Sequence, residues 1–304
     1  MSNIIVTQNL TKRFGNLMAV DNLNLAVPEG SIFAFLGPNG AGKTTTIKLL
    51  LNLLEPTGGT AEVLGVKSGK LGPKEFARIG YVSENQKIYD WMTVKQLTAF
   101  CKPMYPTWDD AFCDRLMHLF DLPLDRRING FSRGMKIKTA FLVSLAYRPR
   151  LLFLDEPFTG LDPLVRDELI QSILDLTTAE HWTVFISSHD IHEVEMLADM
   201  VSLLDQGKLK LVEALDSLQT RFKNVNITLN SPLEHLPDLP SAWLGMEHEN
   251  RAIKFIDSAY REKSSPDSIR RLFPNYANIE ATGMTLREIF IALAKTYKLK
   301  NRKA

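Results

Sequence analysis

The sequence has few cysteines, almost no net charge and no long apolar run. Cys101 and Cys113 are the only cysteines among 304 residues, and their spacing is neither paired nor metal-like, which predicts reduced thiols in a cytosolic protein. The formal net charge of +1 provides no general attraction to nucleic acid or to an anionic membrane. No apolar stretch approaches the ~18 residues of a membrane span, and residues 2–7 lack the features of a signal peptide. We therefore expect any membrane-linked activity to require another chain that crosses the bilayer.

Strand-like and helix-like segments alternate through residues 1–211. Apolar, β-branched runs are followed by stretches of helical period, which is the order of an α/β core with a parallel sheet. Residues 93–146 are mainly helical in pattern and are predicted to be an insertion into this core. After Gly207 the elements become shorter, and a proline-rich stretch occupies residues 231–240. The sequence thus predicts a second domain, a small α+β appendage of residues 212–304.

A glycine-rich loop joins a predicted strand to a predicted helix. The stretch GPNGAGKT satisfies the pattern G-x-x-x-x-G-K-[ST] in the strand-to-helix context that the pattern requires. Glycines let successive N–H groups point at phosphate oxygens, and the helix N-terminus adds its positive end. Lys43 is expected to reach the β and γ phosphates of a nucleotide, and the Thr44 hydroxyl is expected to ligate Mg²⁺. The candidate phosphate-binding residues are Gly37, Pro38, Asn39, Gly40, Ala41, Gly42, Lys43, Thr44 and Thr45.

Two carboxylates end another predicted strand. The apolar run Leu151–Leu154 is followed at once by Asp155 and Glu156, although ionised carboxylates need partners at the end of a buried strand. Asp155 is expected to hold Mg²⁺ through water, and Glu156 to polarise a water molecule that attacks the γ-phosphate. The alternative is an acid pair that caps the next helix. This alternative is the weaker one, because the chain already contains the glycine-rich loop with Lys43, here called the lysine loop.

A second candidate anion site lies at Ser132 and Gly134, at the start of a helical pattern. By itself, this stretch is equally well an ordinary capped helix. It stands shortly before Asp155, however, and there FSRGM resembles the signature sequence of ATP-binding cassette (ABC) proteins. Two phosphate-binding helix ends in one chain suggest that the second end contacts the nucleotide of another subunit.

The rest of residues 3–215 resembles the same family. Gly160-Leu161-Asp162 is similar to the D-loop, which places Asp162 at a contact between two subunits beside the nucleotide. His189 follows an apolar run as the family's switch histidine does, and Phe14 stands where these proteins stack an aromatic ring on adenine. A lone histidine or phenylalanine would be a core residue more often than a ligand. The ordered set of motifs makes coincidence negligible.

This resemblance implies a fold, a partner and a mechanism. The implied fold is a P-loop NTPase core with a parallel-sheet ATPase lobe, an antiparallel β subdomain and a helical insertion. Two cassettes are expected to face head to tail, with ATP and Mg²⁺ between the lysine loop of one and Ser132–Gly134 of the other. The implied catalytic residues are Lys43, Glu156 as the base, and His189 as a contact to the γ-phosphate.

The sequence departs from the family pattern at two places. Glu84 occupies the position at which the family usually has glutamine, and Gln86 follows two residues later. Glutamate can still provide an oxygen ligand, so Glu84 is a candidate ligand of Mg²⁺. Either Glu84 or Gln86 could perform the role of the glutamine that the family has in this loop. Arg133 and Met135 replace the usual glycine and glutamine of the signature. Because the serine and the second glycine are kept, the site is expected to be active.

A single cassette without a membrane span resembles the ATPase subunit of a transporter with a separate multi-span permease. Residues 93–122 and the loop around Glu84 are the expected docking surfaces, which would place the chain at the cytoplasmic face of the membrane. The tail from Met284 to Phe290 resembles those of bacterial exporter ATPases, which favours export over import. The transported substrate, and whether the second subunit is identical to this one, do not follow from these residues.

Functions of other classes are weaker alternatives. ABC ATPases that act on ribosomes or DNA usually carry two cassettes or long coiled-coil arms, and the near-neutral charge predicts no nucleic-acid partner. A P-loop kinase or GTPase would have no use for the Ser132–Gly134 signature or for His189, and the sequence lacks a guanine-reading Asn-Lys-x-Asp.

Overall fold

The computed structural model of the chain describes residues 2–233 and 235–301. Glu234 and residues 302–304, which belong to the predicted appendage, lie outside the described residues, as does Met1. The chain divides into two compact units, the first ending at Val212 and the second beginning at Glu213.

The first unit combines two sheets with helices. Its strands are β1 (Asn3–Phe14), β2 (Leu17–Pro28), β3 (Ile32–Leu36), β4 (Gly58–Val63), β5 (Val66–Lys67), β6 (Ile79–Ser83), β7 (Leu151–Asp155), β8 (Thr183–Ser188), β9 (Met200–Asp205) and β10 (Lys208–Ala214), the last of which runs into the boundary. Its helices are α1 (Lys43–Leu50), α2 (Pro73–Phe76), α3 (Val94–Cys101), α4 (Asp110–Leu119), α5 (Arg133–Leu145), α6 (Pro163–Glu180) and α7 (Ile191–Leu197).

The larger sheet has the strand order β10-β9-β3-β8-β7-β6, and the strands from β9 to β6 pair in parallel. Its central strands β3, β7 and β8 are buried along their whole length, which is the pattern of a parallel sheet covered on both faces. The ring of Phe185 packs between those of Phe33 and Phe153, with centroid distances of 5.7 and 5.5 Å. Because the strands run in one direction, their carboxyl ends meet at one edge, where the candidate site lies.

The smaller sheet has the order β2-β1-β4-β5 and is antiparallel, as the family resemblance implies. Strands β1 and β2 are each 12 residues long. The polar stretch after Gln8 continues as strand because it still pairs with β2, although the register shifts several times. The buried faces of this sheet and of the parallel sheet contribute to one apolar cluster.

The predicted helical insertion contains α3, α4 and α5. Thr93 begins α3 with a capping box, in which its hydroxyl accepts from the N–H of Gln96 and the Gln96 amide accepts from the N–H of Thr93. The chain leaves helical structure near Pro106, and Asp109 then caps α4. The segment is therefore mainly helical in structure, with a break near Pro106.

The second unit is an antiparallel sheet with helices. Its elements are α8 (Leu215–Arg221), β11 (Lys223–Leu229), β12 (Trp243–Glu249), β13 (Ala252–Asp257), α9 (Ser265–Leu272), β14 (Tyr276–Gly283) and α10 (Leu286–Asn301). The sheet order is β12-β13-β11-β14. Alternate residues of β11 and β13, among them Val225, Ile227, Ile253 and Phe255, form its core with Phe273.

Candidate active site

The glycine-rich loop connects β3 to α1. Gly40 and Gly42 have φ angles of +80° and +108°, and a Cβ atom on Gly42 would lie 2.2 Å from the carbonyl oxygen of Ala19. Only glycine tolerates this combination of positive φ and close backbone approach. The loop leads into α1, whose N-terminus has no side-chain cap and leaves N–H groups for an anion.

Lys43 is buried, with 5% of its side chain exposed. Its ammonium group donates to the carbonyl oxygens of Gly37 and Pro38 at 2.6 and 3.2 Å. It also lies 3.0 Å from Oε1 of Glu156, a contact that is an ion pair without hydrogen-bond geometry. The ammonium group of Lys43 is thus held between the carbonyl oxygens of the loop and the carboxylate of Glu156, which follows β7.

An oxygen cluster surrounds Asp155 at the end of β7. Its Oδ1 accepts hydrogen bonds from the hydroxyl groups of Thr44, at 3.0 Å, and Ser187, at 2.7 Å. Burial raises the pKa of the Asp155 carboxyl, while these two hydrogen bonds act in the opposite direction. The carboxylate therefore lies where a cation would compensate the cost of its desolvation.

Glu156 has a backbone conformation that non-glycine residues seldom adopt, with φ at +53°. Its N–H donates to the carbonyl and hydroxyl oxygens of Ser187, each at 3.1 Å. Its Oε2 lies 2.6 Å from Nδ1 of His189 and accepts a longer bond of 3.3 Å from the Thr159 hydroxyl. Such conformations persist only where the surroundings hold them, and they cluster at active sites.

A cavity of ≈ 680 Å³ opens beside these groups. It is lined by Phe14, Leu17, Met18, Ala19, Asn39, Gly40, Ala41, Gly42, Lys43, Thr44, Thr45, Glu84, Glu156 and Gln206. The ring of Phe14 is 46% exposed there, with Nζ of Lys12 5.1 Å from its centroid. An exposed aromatic ring at a cavity wall offers a flat apolar face to a ligand.

The cavity lining does not include Ser132, Gly134 or Asp162. Ser132 caps α5, where its hydroxyl accepts from the N–H of Met135 at 3.2 Å. Gly134 allows α5 to approach α6, since a Cβ atom there would lie 2.8 Å from Cγ1 of Val165. Asp162 caps α6 through a bond of 2.9 Å from the N–H of Leu164. Within one chain, these residues have local structural roles and stand apart from the lysine loop.

Glu84 and Gln86 face different cavities. The N–H of Glu84 donates to the carbonyl oxygen of Asp155 at 3.0 Å, and Glu84 lines the cavity of the lysine loop. Its carboxylate Oε1 lies 2.9 Å from Nη2 of Arg133. The Gln86 amide oxygen instead accepts from the N–H of Ser83 at 3.2 Å, and Gln86 lines a separate groove. This placement favours Glu84 as the residue that can turn towards the oxygen cluster.

Sequence reasoning missed Ser187 and Arg133. Ser187 pairs with Asp155 in the register of β7 and β8, so its hydroxyl lies beside that carboxylate. A polar residue that ends an apolar strand next to the carboxylate strand was an available signal. Arg133 was noted only as a departure from the signature, and its contact with Glu84 was not foreseen. Leu17 and Met18, two exposed apolar residues at the cavity, carried no sequence signal.

Comparisons with known proteins agree with this geometry. The ABC transporter family profile matches residues 20–159. The bacitracin transport ATP-binding protein BcrA of Bacillus licheniformis is 37% identical over 223 residues, which cover 73% of each chain. The ABC transporter ATP-binding protein YtrB of Bacillus subtilis is 28% identical over 295 residues, or 95% of this chain and 97% of that one.

A solved structure described as the ATP-binding subunit of an ABC transporter superposes with a TM-score of 0.64 at 26% identity. It covers 71% of this chain and 92% of the other. The motifs that suggested the family at the sequence level therefore lie in the fold of that family, with the lysine loop and the carboxylates at one sheet edge. The chain belongs to the ABC transporter family and is one of its ATP-binding ATPase subunits.

Proposed function

We propose that this chain hydrolyses ATP in a Mg²⁺-dependent reaction, as one of two cassettes that drive transport through a separate permease. The observation that carries the proposal is the convergence of Lys43, the Thr44–Asp155 pair and the Glu156–His189 pair beside one cavity. The N-terminus of α1, which has no side-chain cap, and the Lys43 ammonium fit the β and γ phosphates. The exposed ring of Phe14 fits the adenine base.

The oxygen cluster fits Mg²⁺, which takes hard oxygen ligands and retains several waters. Thr44 and Asp155 would hold the ion, and Glu84 would add a carboxylate from a backbone already fixed to Asp155. When bound, the ion would neutralise charge on the phosphate oxygens. Ser187 orients the Asp155 carboxylate through its hydroxyl.

Glu156 is the proposed general base. Its carboxylate is held between the Lys43 ammonium and the His189 ring, and its backbone is fixed by Ser187. In this position Oε2 can orient a water molecule and accept its proton. His189 keeps the carboxylate in place and can contact the γ-phosphate with its other ring nitrogen.

The second subunit is proposed because one chain does not complete the site. The capped N-terminus of α5, with Ser132 and Gly134, lies outside the cavity lining and is available for the nucleotide of a second cassette. The exposed loop Gly160–Asp162 is the proposed contact between the two subunits beside that nucleotide. Closure of the pair around ATP, and opening after hydrolysis, would drive the permease.

A groove of ≈ 460 Å³ supports docking to a permease. It is lined by loop residues such as Gln86 and Ile88, by Leu97 of α3, and by Tyr105 and Tyr147. Exposed aromatic rings lie beside it, including Tyr89, Trp91 and Phe100. An apolar segment of a membrane protein is the proposed occupant, which would hold this chain at the cytoplasmic face of the membrane. No helix among the described residues is long and apolar enough to span a bilayer.

Residues 1–211 are proposed as the ATPase domain and residues 212–304 as an accessory domain. The compact units on either side of Val212 support this division. Similarity to YtrB extends over 95% of the chain and so includes the appendage. We propose export as the direction of transport, supported by the form of this appendage and by similarity to a protein named for bacitracin transport.

The proposal is tested with the purified full chain. ATP hydrolysis is expected to require Mg²⁺, to rise more steeply than linearly with protein concentration, and to fall at least about 100-fold in E156Q. E156Q is also expected to dimerise in ATP, because slow hydrolysis preserves the closed pair. An E156Q chain that hydrolysed ATP at the wild-type rate would overturn the assignment of the base.

A second experiment tests the transporter role. In the native cell, the chain is expected to fractionate with membranes and to co-purify with a multi-span membrane protein. A Y89A/W91A variant is expected to lose this association while it retains ATP hydrolysis in solution. Complete absence of the wild-type chain from the membrane fraction would contradict the role, and association with ribosomes or DNA would favour the alternative.

A further inference from the structure

Arg133 and Glu84, which both depart from the family's sequence pattern, contact each other. Nη2 of Arg133 lies 2.9 Å from Oε1 of Glu84, across 49 residues of sequence. The Arg133 side chain is 46% exposed and that of Glu84 is 32% exposed, so solvent reaches both. An ion pair of this kind is weak and can be exchanged for a stronger partner.

Arg133 occupies the first position of α5, between Ser132 and Gly134. The first turn of this helix contains no acidic residue, so the guanidinium adds to the positive end of the helix. It also packs against Gly160, where a Cβ atom would lie 3.1 Å from Cζ of Arg133. One side chain therefore contacts both the loop of Glu84 and the loop of Gly160.

The backbone and the side chain of Glu84 have different partners. Its N–H is bonded to the Asp155 carbonyl oxygen, so its backbone stays beside the proposed Mg²⁺ site. Its carboxylate is paired with Arg133 in the structure, although it also lines the nucleotide cavity. Rotation of the side chain alone would exchange the guanidinium for the oxygen cluster around Asp155.

A terminal phosphate is a better partner for Arg133 than an exposed carboxylate. It carries more charge, and the planar guanidinium can donate two parallel hydrogen bonds to its oxygens. The proposed function places a terminal phosphate, on the nucleotide of the second subunit, at the N-terminus of α5. Arg133 is partly exposed at that terminus, so its guanidinium would be available to such a phosphate once it had left Glu84.

We propose that Arg133 exchanges partners in the ATP cycle, from Glu84 in its own chain to the terminal phosphate of the nucleotide bound by the second subunit. The exchange releases the Glu84 carboxylate for the Mg²⁺ site beside Asp155. This inference rests on the proposed function, because it requires two cassettes to close around ATP. Arg133 thus contacts a phosphate, and its pairing with Glu84 determines when the Glu84 carboxylate is available to Mg²⁺.

The test measures ATP-dependent dimerisation of the full-length chain in the E156Q background by size-exclusion chromatography with light scattering. Addition of R133A is expected to raise the ATP concentration for half-maximal dimerisation about tenfold or more. R133K is expected to be intermediate, because it keeps the charge without the planar fork. K136A removes a positive charge one turn further along α5 and is expected to leave dimerisation unchanged.

E84Q separates the two partners of Arg133. It removes the counter-ion within the chain but keeps an oxygen that can face Mg²⁺, so at saturating Mg²⁺ dimerisation is expected at the same ATP concentration or a lower one. Under the same conditions, E84Q/R133A is expected to be as impaired as R133A. If Arg133 acted only by holding Glu84, R133A and E84Q would shift dimerisation equally and the double variant would match each, which overturns the inference. Failure of the E156Q parent to dimerise in ATP would instead remove the dimer of the proposed function, and the inference with it.

Discussion

Nδ1 of His189 lies 2.6 Å from Oε2 of Glu156, so that a side chain following β8 fixes the carboxylate that follows β7. In H189A, Glu156 loses this partner and the proposed phosphate contact is lost with it. ATP binding is expected to persist, because Lys43 and the loop are untouched, while the rate of hydrolysis falls about 100-fold or more. Equilibrium nucleotide binding and single-turnover hydrolysis measure the two effects. H192A, which changes an exposed histidine on α7, is the matched control and is expected to behave as wild type.

Gly42 and Gly40 allow a controlled test of the phosphate loop. Both have positive φ, but a Cβ atom would meet the Ala19 carbonyl oxygen only at Gly42, since nothing lies within 4 Å at Gly40. G40A is expected to cost about 1 kcal/mol of backbone strain. G42A must displace the loop, and its affinity for a fluorescent ATP analogue is expected to fall at least about tenfold relative to G40A. Equal affinity of the two variants would show that the close approach to Ala19 is unimportant.

Gly134 has two proposed roles, which a second substitution separates. G134A is expected to lower the free energy of unfolding by about 1–3 kcal/mol, because its Cβ would lie 2.8 Å from Cγ1 of Val165. V165A removes that methyl group, so G134A/V165A is expected to be no less stable than V165A alone. Chemical denaturation measures stability, and E156Q dimerisation in ATP measures the phosphate role. If stability is restored and dimerisation is restored with it, Gly134 serves only the packing of α5 on α6.

Local motifs made much of this site predictable. Lys43, Thr44, Asp155 and Glu156 lie in contiguous patterns, and the context of each, a strand followed by a turn, is visible within a few residues. In a parallel sheet the carboxyl ends of the strands share one edge, so the approximate meeting point of these motifs follows from topology.

Contacts between distant segments were not predictable from the same patterns. Arg133 and Glu84 are 49 residues apart, and their pairing depends on how α5 stands against the end of β6. Among the strands, β12 has a weak sequence pattern because its alternation breaks at a register shift between Leu244 and Glu247, where Gly245 has φ of +61°. The strand pattern of β10 is also weak, because its residues are mostly half-buried and of mixed polarity.

Gln86 and Glu84 are expected to affect different steps. Q86A is expected to leave ATP hydrolysis by the isolated chain within about twofold of wild type, because Gln86 lines the groove proposed for permease docking and bonds to its own loop at Ser83. E84A is expected to raise the Mg²⁺ concentration needed for hydrolysis. Titration of Mg²⁺ with each purified variant provides the comparison, and co-purification of membrane protein measures docking. If Q86A changed the Mg²⁺ dependence of hydrolysis and E84A did not, Gln86 and not Glu84 would be the residue that acts at the Mg²⁺ site.

Glu213 and Arg221 make the stability of the second unit depend on pH. The Glu213 carboxylate accepts bonds from Nε and Nη2 of Arg221 at 2.8 and 2.7 Å, and from the Ser217 hydroxyl at 2.9 Å. Hydrogen bonds from Arg221 are the main reason that the pKa of Glu213 is lowered, and burial opposes them. Because the unfolded chain binds a proton at higher pH than the folded chain, the pair stabilises the fold above the ordinary glutamate pKa of about 4.3.

E213Q is therefore expected to reduce the free energy of opening of α8 and β11 by about 0.5–1 kcal/mol at pH 7, a small value because the pair is only partly buried. The difference from wild type is expected to stay constant down to about pH 5 and to shrink as the pH falls through the lowered pKa of Glu213. Amide hydrogen exchange in α8 and β11, corrected for the effect of pH on intrinsic exchange rates, measures this difference in the free energy of opening. S217A removes the weaker partner and is expected to show a smaller effect with the same pH dependence. A difference between wild type and E213Q that persisted undiminished to pH 3 would mean that the charge of Glu213 does not produce it.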